Sequence, residues 1–259
     1  MITTTAGNET QVLIDKAMSL SSELGIEYYP RQGKSLKYLL ANIDSQIFVV
    51  NNMRGLSYYE RDSDEAFYHP NMAFLRLINL KKGYPDNMAE ACKLESGMSF
   101  FDGTLGLAAD SVTASWIVGE SGKVTATEKS FPVYVLVKEG LSFYAVQNPE
   151  LAAVIERIDI KNIDNLDFSR QCEDSGYDVV YFDFMFNNPV ETSNGIRVID
   201  NLASRDMITG EHICEACRVA KKRVVVKSDG DGVKALAEFG FTIEKENQRK
   251  KFYYAVLEK

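Results

Sequence analysis

Four carboxylates stand where strand-like apolar runs end: Asp102 after "MSFF", Glu128 after "KVTAT", Asp164 after "IERIDIKNI" and Asp183 after "YDVVYF". One acid at the end of such a run is commonplace. Four in succession are harder to dismiss, because carboxylates gathered on one edge repel unless something cationic or hydrogen-donating lies between them. The first acid opens the loop "DGTLGLAAD", in which Gly103 and Gly106 allow a tight turn and a close backbone approach. The pattern is not G-x-G-x-x-G, and a glycine turn that merely feeds a helix explains the loop equally well by itself. Glu128 follows at roughly the spacing of 20 residues or a little more at which an acid meets ribose hydroxyls, and a carboxylate accepts two hydrogen bonds at once. With Glu128 and Asp164 in step, a nucleoside-containing ligand is the better account.

Such acids need a sheet edge to stand on. The strand candidates "MSFFDGT", "KVTATEK", "IERIDIKNID", "YDVVYFDF" and "KRVVVK" are mostly separated by helix-length segments, among them "AADSVTASWIVGE", "SFPVYVLVKEGL" and "NPELAAVIER". Strands alternating with helices predict a parallel sheet with crossover helices. In such a sheet, ligands bind outside the carboxyl ends of the strands. The tail "FGFTIEKENQRKKFYYAVLEK" predicts an antiparallel hairpin closing the sheet. Ahead of this domain, assigned to residues 66–259, residues 1–65 read as a small α/β appendage. Its helix in "ETQVLIDKAMSLSSELG" ends at Gly25, a second begins at "SLKYLL", and "QIFVVNN" can pair with "LSYYE". Further helix is predicted from "HPNMAFLRLINLKKG" through "NMAEACKLESG". "KSDGDG" lacks the spaced acids of a calcium loop and reads as a turn.

The chain has 259 residues, 45% hydrophobic and 25% charged, as in an ordinary globular protein. No run approaches the roughly 18 apolar residues of a membrane span, and "MITTTAGNETQ" has no secretory pattern. A soluble, cytoplasmic protein without a membrane partner is expected. A net charge of −8 argues against nonspecific nucleic-acid binding by the whole surface. One basic face could still hold RNA, and Arg218, Lys221, Lys222, Arg223 and Lys227 are candidates for it. "HICEAC" places Cys214 and Cys217 beside His212, but no second ligand pair exists at similar spacing, so no metal is expected. Cys92 and Cys172 read as isolated thiols. His69, between Tyr68 and Pro70, is either a turn residue or a pocket residue.

A hairpin after five parallel strands favours S-adenosylmethionine over a nicotinamide cofactor. The ordered segments "FFDGTLGLAADSVTASWIVG", "KVTATEKSFPVYVLVKEGL", "DVVYFDFMF" and "KKRVVVK" resemble the class I methyltransferases that modify a guanine exocyclic amine in bacterial small-subunit ribosomal RNA. The resemblance covers roughly residues 66–259 and is looser over the N-terminus. It implies a Rossmann-like fold with a seven-stranded, mostly parallel sheet. It also implies an S-adenosylmethionine loop at Asp102, Gly103, Thr104 and Gly106, with Ala109 and Asp110 near the methionine part. Glu128 would hold the ribose hydroxyls with Lys129 beside it, Asp164 and Asn165 would lie by the adenine, and Asp183 would face both cofactor and substrate.

Amino-methylating enzymes of this fold carry Asp or Asn, then Pro, Pro or Met, and Tyr or Phe. The resemblance therefore makes Asp183 the acceptor of the amine hydrogens, Phe186 the face that stacks on a base taken out of its own stack, and Met185 a wall. Stacking of this kind is worth about 1–3 kcal/mol per base. Phe184 stands where the family has proline, which would fix φ and remove a donor. The leading expectation is methyl transfer to RNA, most simply small-subunit ribosomal RNA or the subunit itself. A small-molecule or protein acceptor, or a noncatalytic cofactor-binding protein, are the alternatives.

Overall fold

The computed structural model describes residues 1–146, 148–184, 202, 208–247 and 252–259, with the backbone alone considered at 245–247. Five strands, β1 (Ile2–Thr5), β2 (Glu27–Tyr28), β3 (Gln46–Asn51), β4 (Gly55–Glu60) and β5 (Ala66–Phe67), form a first sheet in the order β2-β1-β3-β4-β5. Helices α1 (Gln11–Leu24) and α2 (Leu36–Asn42) connect them. Thr10 caps α1 by accepting from the Leu13 N–H, and Gly25 ends it at φ 65°, as its position predicts. β3 and β4 pair antiparallel as expected. The polar N-terminus conceals β1, a wholly buried strand whose Thr3, Thr4 and Thr5 show no exposed surface. β-branched threonines suit a strand, and Thr3 satisfies its hydroxyl by donating to the Ala17 carbonyl at 3.2 Å.

Helices α3 (Asn71–Lys81) and α4 (Asn87–Cys92) lead into the second sheet. Its strands are β6 (Ser99–Asp102), β7 (Lys123–Glu128), β8 (Ile158–Asn162), β9 (Tyr177–Phe182), β10 (Ala220–Ser228), β11 (Thr242–Asn247) and β12 (Phe252–Glu258), in the order β11-β12-β10-β9-β6-β7-β8. Strands β6 to β10 pair parallel and the β11–β12 hairpin antiparallel, as the alternation of segments predicts. The crossover helices are α5 (Ala109–Val118), α6 (Phe131–Ala145), α7 (Pro149–Ile155), α8 (Asn165–Gln171), α9 (Gly210–Val219) and α10 (Gly230–Ala237). "KSDGDG" is therefore no simple turn. Asp229 accepts from the Gly232 N–H and caps α10.

The second sheet is buried on both faces. Along β6 the side chains alternate, so that Phe100 joins one core cluster and Phe101 the other. The first cluster also takes in Leu13 of α1 and Phe48, Leu56 and Tyr58 of the N-terminal sheet, together with Val133, Leu136 and Leu141 of α6. The two sheets thus share a core through α6. A Cβ at Gly140 would lie 2.4 Å from the Tyr68 ring, so the helix can approach the first sheet closely only with glycine there.

Candidate functional site

Chain order places β7 and β8 on one side of β6, and β9 with β10 on the other. The switch point falls between β6 and β9, and a ligand crevice belongs at their carboxyl ends. Strand parity then decides which acids meet there. Asp102 shares its face of β6 with Phe100, Glu128 shares its face of β7 with Val124 and Ala126, and Asp183 continues the face of Tyr181. All of these apolar partners belong to the first cluster. Three of the four predicted acids therefore end adjacent strands on one side of the sheet. The third strand ends at Asn162, not at Asp164. Asp164 instead caps α8, accepting from the Leu166 N–H at 2.9 Å and pairing with Lys129 at 3.2 Å.

Asp102 is fully buried. It accepts from the Thr104 N–H at 3.0 Å and from the Ser111 hydroxyl at 2.5 Å. Burial, with Asp110 and Asp183 nearby, pushes its carboxyl up to about 7 despite those donors. The loop it anchors turns through Gly106 at φ 47° and Ala108 at φ 59° before α5 begins. The second is a left-handed conformation held by a non-glycine residue, the kind of strain that persists where the surroundings over-determine it. Gly103 has another reason to be glycine: a Cβ would lie 2.2 Å from the buried Phe182 ring. Thr104 joins this loop to β9, because its hydroxyl accepts from the Asp183 N–H at 2.6 Å.

Glu128 is 7% exposed and accepts from the Ser130 N–H at 2.8 Å. Burial raises its carboxyl, while N–H groups of Ser130, Gly106 and Lys129 oppose the shift. Asn162 donates to the Glu128 carbonyl at 2.8 Å and so pins the strand end. Asn165 Oδ1 is buried without a hydrogen-bond partner among the described residues. An orphaned buried acceptor next to Asp164 suits the amino group of an adenine, and the anchored Glu128 suits ribose hydroxyls. The residues present thus fit the S-adenosyl group that the resemblance implies.

Asp110 and Asp183 belong to a charged network that the sequence does not announce. Arg76 of α3 donates twice to Asp86, both at 2.8 Å, and its third donor reaches Asp110 at 2.5 Å. The other oxygen of Asp110 accepts from the Tyr181 hydroxyl at 3.2 Å. Lys227 of β10 donates to Asp183. Burial drives the Asp183 carboxyl up, Lys227 opposes it, and Asp110 adds to the rise. Asp110 ends below the usual carboxylate range, since burial is outweighed by Arg76 and Lys227.

Phe184 stacks on Phe182 with ring centroids 5.3 Å apart and meets His212 edge-on at 5.6 Å. It is packed into the second core cluster, on the face opposite Asp183. Met185 and Phe186 lie outside the described residues. The basic segment disperses: Arg218 pairs with Glu215 and Asp174, Lys222 with Asp178, and Arg223 is buried against Glu258 and the Ala91 carbonyl. His69 packs against Tyr144 at 5.1 Å, on the α6 side of the first sheet. His212 caps α9 with Thr209. Among the described residues no group of three or more His, Cys, Asp or Glu could hold a metal, and no helix is long and apolar enough to cross a membrane.

Comparison with known proteins fits this geometry. The family model of SAM-dependent methyltransferases matches residues 42–255. The chain is 36% identical over 255 residues to YpiP, an uncharacterized protein of Bacillus subtilis, covering 98% of both. Over 169 residues it is 30% identical to ribosomal RNA small subunit methyltransferase J of Actinobacillus pleuropneumoniae, covering 62% of this chain and 64% of that protein. A SAM-dependent methyltransferase from Neisseria gonorrhoeae shares the fold, with a TM-score of 0.60 at 15% identity, covering 100% of this chain and 96% of that one.

Proposed function

Because the chain belongs to the SAM-dependent methyltransferase family, we propose that it methylates the exocyclic N2 amine of a guanine in small-subunit ribosomal RNA. S-adenosylmethionine is the cofactor, and when bound it supplies an electrophilic methyl group to an acceptor that loses a proton. The residues of this chain bind and orient. Glu128 takes the ribose hydroxyls, Asn165 with Asp164 the adenine side, and the Asp102–Gly106 loop the methionine side. Positioning of the two reactants carries most of the rate.

The observation that carries the reading is the placement of Asp183. It ends β9 at the switch point, with its backbone tied to the cofactor loop by Thr104 and its carboxylate held by Lys227. A guanine amine is a poor nucleophile because its lone pair is delocalised into the ring. A fixed carboxylate accepting an N–H bond favours the pyramidal nitrogen that can attack. Phe186 would stack on the extruded base, with Met185 as a wall. Phe184 does not silence this arrangement in our reading, because its ring is engaged with Phe182 and His212, away from the acid. The partial match to the Actinobacillus ribosomal RNA enzyme supports RNA as the acceptor class.

The test is transfer of a labelled methyl group from S-adenosylmethionine to undermodified small-subunit RNA and to subunits, with Asp183→Ala in parallel. Label that disappears on ribonuclease treatment, and that Asp183→Ala reduces at least 100-fold with cofactor binding intact, is the expected result. Label resistant to ribonuclease, or confined to protein, would contradict it.

A further inference from the structure

Asp183 is surrounded by groups that oppose its ionisation. Asp110 projects from α5 and Asp102 from β6, and each is electrostatically coupled to it. The hydroxyls of Tyr181 on β9 and Tyr254 on β12 lie near the same carboxylate, whose charge helps keep both phenols protonated. The cations facing it are Lys227 of β10 and, farther along the network, Arg76 of α3. Arg76 is committed: two of its contacts go to Asp86 and one to Asp110. The charge of Lys227 also reaches Asp110, but among the described residues its hydrogen bond goes to Asp183. Its ammonium donates to Asp183 and lies 5.0 Å from the Phe252 ring. The pairing follows from strand register, since Val226 lies opposite Phe182 in the parallel β9–β10 pair and Lys227 therefore falls beside Asp183. Lys227 and Asp183 side chains are 22% and 26% exposed, so the contact is half-buried and only partly screened.

We infer that Lys227 is a positioning residue for the acceptor carboxylate, supplying the opposite charge that favours its ionised form and turning it so that one oxygen stays available to the amine. The inference rests on the role given to Asp183 above. The chemistry requires both properties. A protonated carboxyl is itself a donor and offers less to an N–H group, and a freely rotating one does not fix the direction of the acceptor lone pair. Lys227 takes Oδ2, and among the described residues Oδ1 is left to the substrate. Arg76 has a supporting part: by engaging Asp110, it limits the repulsion that Asp183 meets from α5. The segment "KKRVVVK" thus serves the reaction centre with its last lysine, while Lys222 and Arg223 are paired with acids elsewhere.

The test reads the carboxyl directly. In protein labelled with carbon-13 at aspartate side chains and free of RNA, the Asp183 resonance is assigned by its loss in Asp183→Asn and titrated in wild type, Lys227→Met and Lys227→Arg. An opposite charge at this range lowers a carboxyl by about 1–3 units. Lys227→Met should therefore raise the Asp183 titration by at least about 1 unit, and Lys227→Arg should restore most of it. On the acid limb of the methyl-transfer profile, kcat of Lys227→Met should fall by about 10-fold or more. Its acid limb should move to higher pH, with cofactor Kd within about twofold of wild type. Thermal melting confirms that each variant is folded. An Asp183 resonance that titrates alike in wild type and Lys227→Met overturns the inference whatever the activity. Wild-type protein that methylates no RNA, while the resonance shifts as stated, overturns the substrate reading and leaves Lys227 in its place beside Asp183.

Discussion

Single residues explain why an acid-lined edge is stable. Asp102, Asp110 and Asp183 stand within one charged neighbourhood, and they do not share its cost equally: Arg76 and Lys227 keep Asp110 ionised, whereas Asp102 has only neutral donors and is pushed up to about 7. This has a measurable sign. In the unfolded chain Asp102 loses its proton near the ordinary value of about 3.9, while the folded protein keeps it until about 7. The stability it contributes is complete below the first value and is lost as pH rises through the second. Asp102→Asn lacks this titration. Its stability relative to wild type should rise by up to about 1.4 kcal/mol per pH unit between pH 5 and 7, measured by urea unfolding. A difference that is flat with pH would refute the assignment. Asp102, Glu128 and Asp183 are legible in the sequence because each ends a strand-like run, where side-chain parity is readable. Arg76 and Lys227 are not, because their roles depend on a helix far upstream and on the register of β10 against β9.

At the scale of elements, the β6–α5 turn is held between two strands. Its loop is tied to β9 through Thr104, and Gly103 packs against Phe182 so closely that no side chain fits. Phe182 is buried and stacked on Phe184, which leaves it little room to retreat. Gly103→Ala should therefore destabilise the protein by about 1–3 kcal/mol and weaken cofactor binding, as read by denaturant midpoint and calorimetry. Unchanged values for both would show that the turn can move. The strands β6, β7, β8, β9 and β10 and the helices α5, α6 and α7 were readable from periodicity because buried parallel strands are rich in β-branched and aromatic residues, whereas α8 was not readable in this way. β1 was not: "ITTT" shows no polar alternation, and its burial is imposed by the strands and helix around it. The helix at Gly230–Ala237 was hidden by two glycines in its first turn, where Asp229 compensates by capping.

For the whole molecule, the notable fact is one core cluster shared by the two sheets. Phe48 of the first sheet is fully buried and lies 6.3 Å from Phe131 of α6, the helix that follows Glu128. The full chain should accordingly unfold in one transition. Phe48→Ala, at a cost of about 3–5 kcal/mol, should lower the midpoint seen by every probe; two separable transitions, only one of them shifted, would show that the sheets are independent. With the proposed RNA acceptor, a chain with net charge −8 would have to recognise it by shape and base contacts more than by bulk charge, which makes the identity of the modified atom the sharpest test. The measurement is nucleoside analysis by mass spectrometry of small-subunit RNA methylated by this protein and by Asp183→Ala. N2-methylguanosine formed by the wild type and absent with the variant is the predicted result. A methyl group on a ring nitrogen, a ribose oxygen or another base, or formation undiminished without the Asp183 carboxylate, would contradict the account.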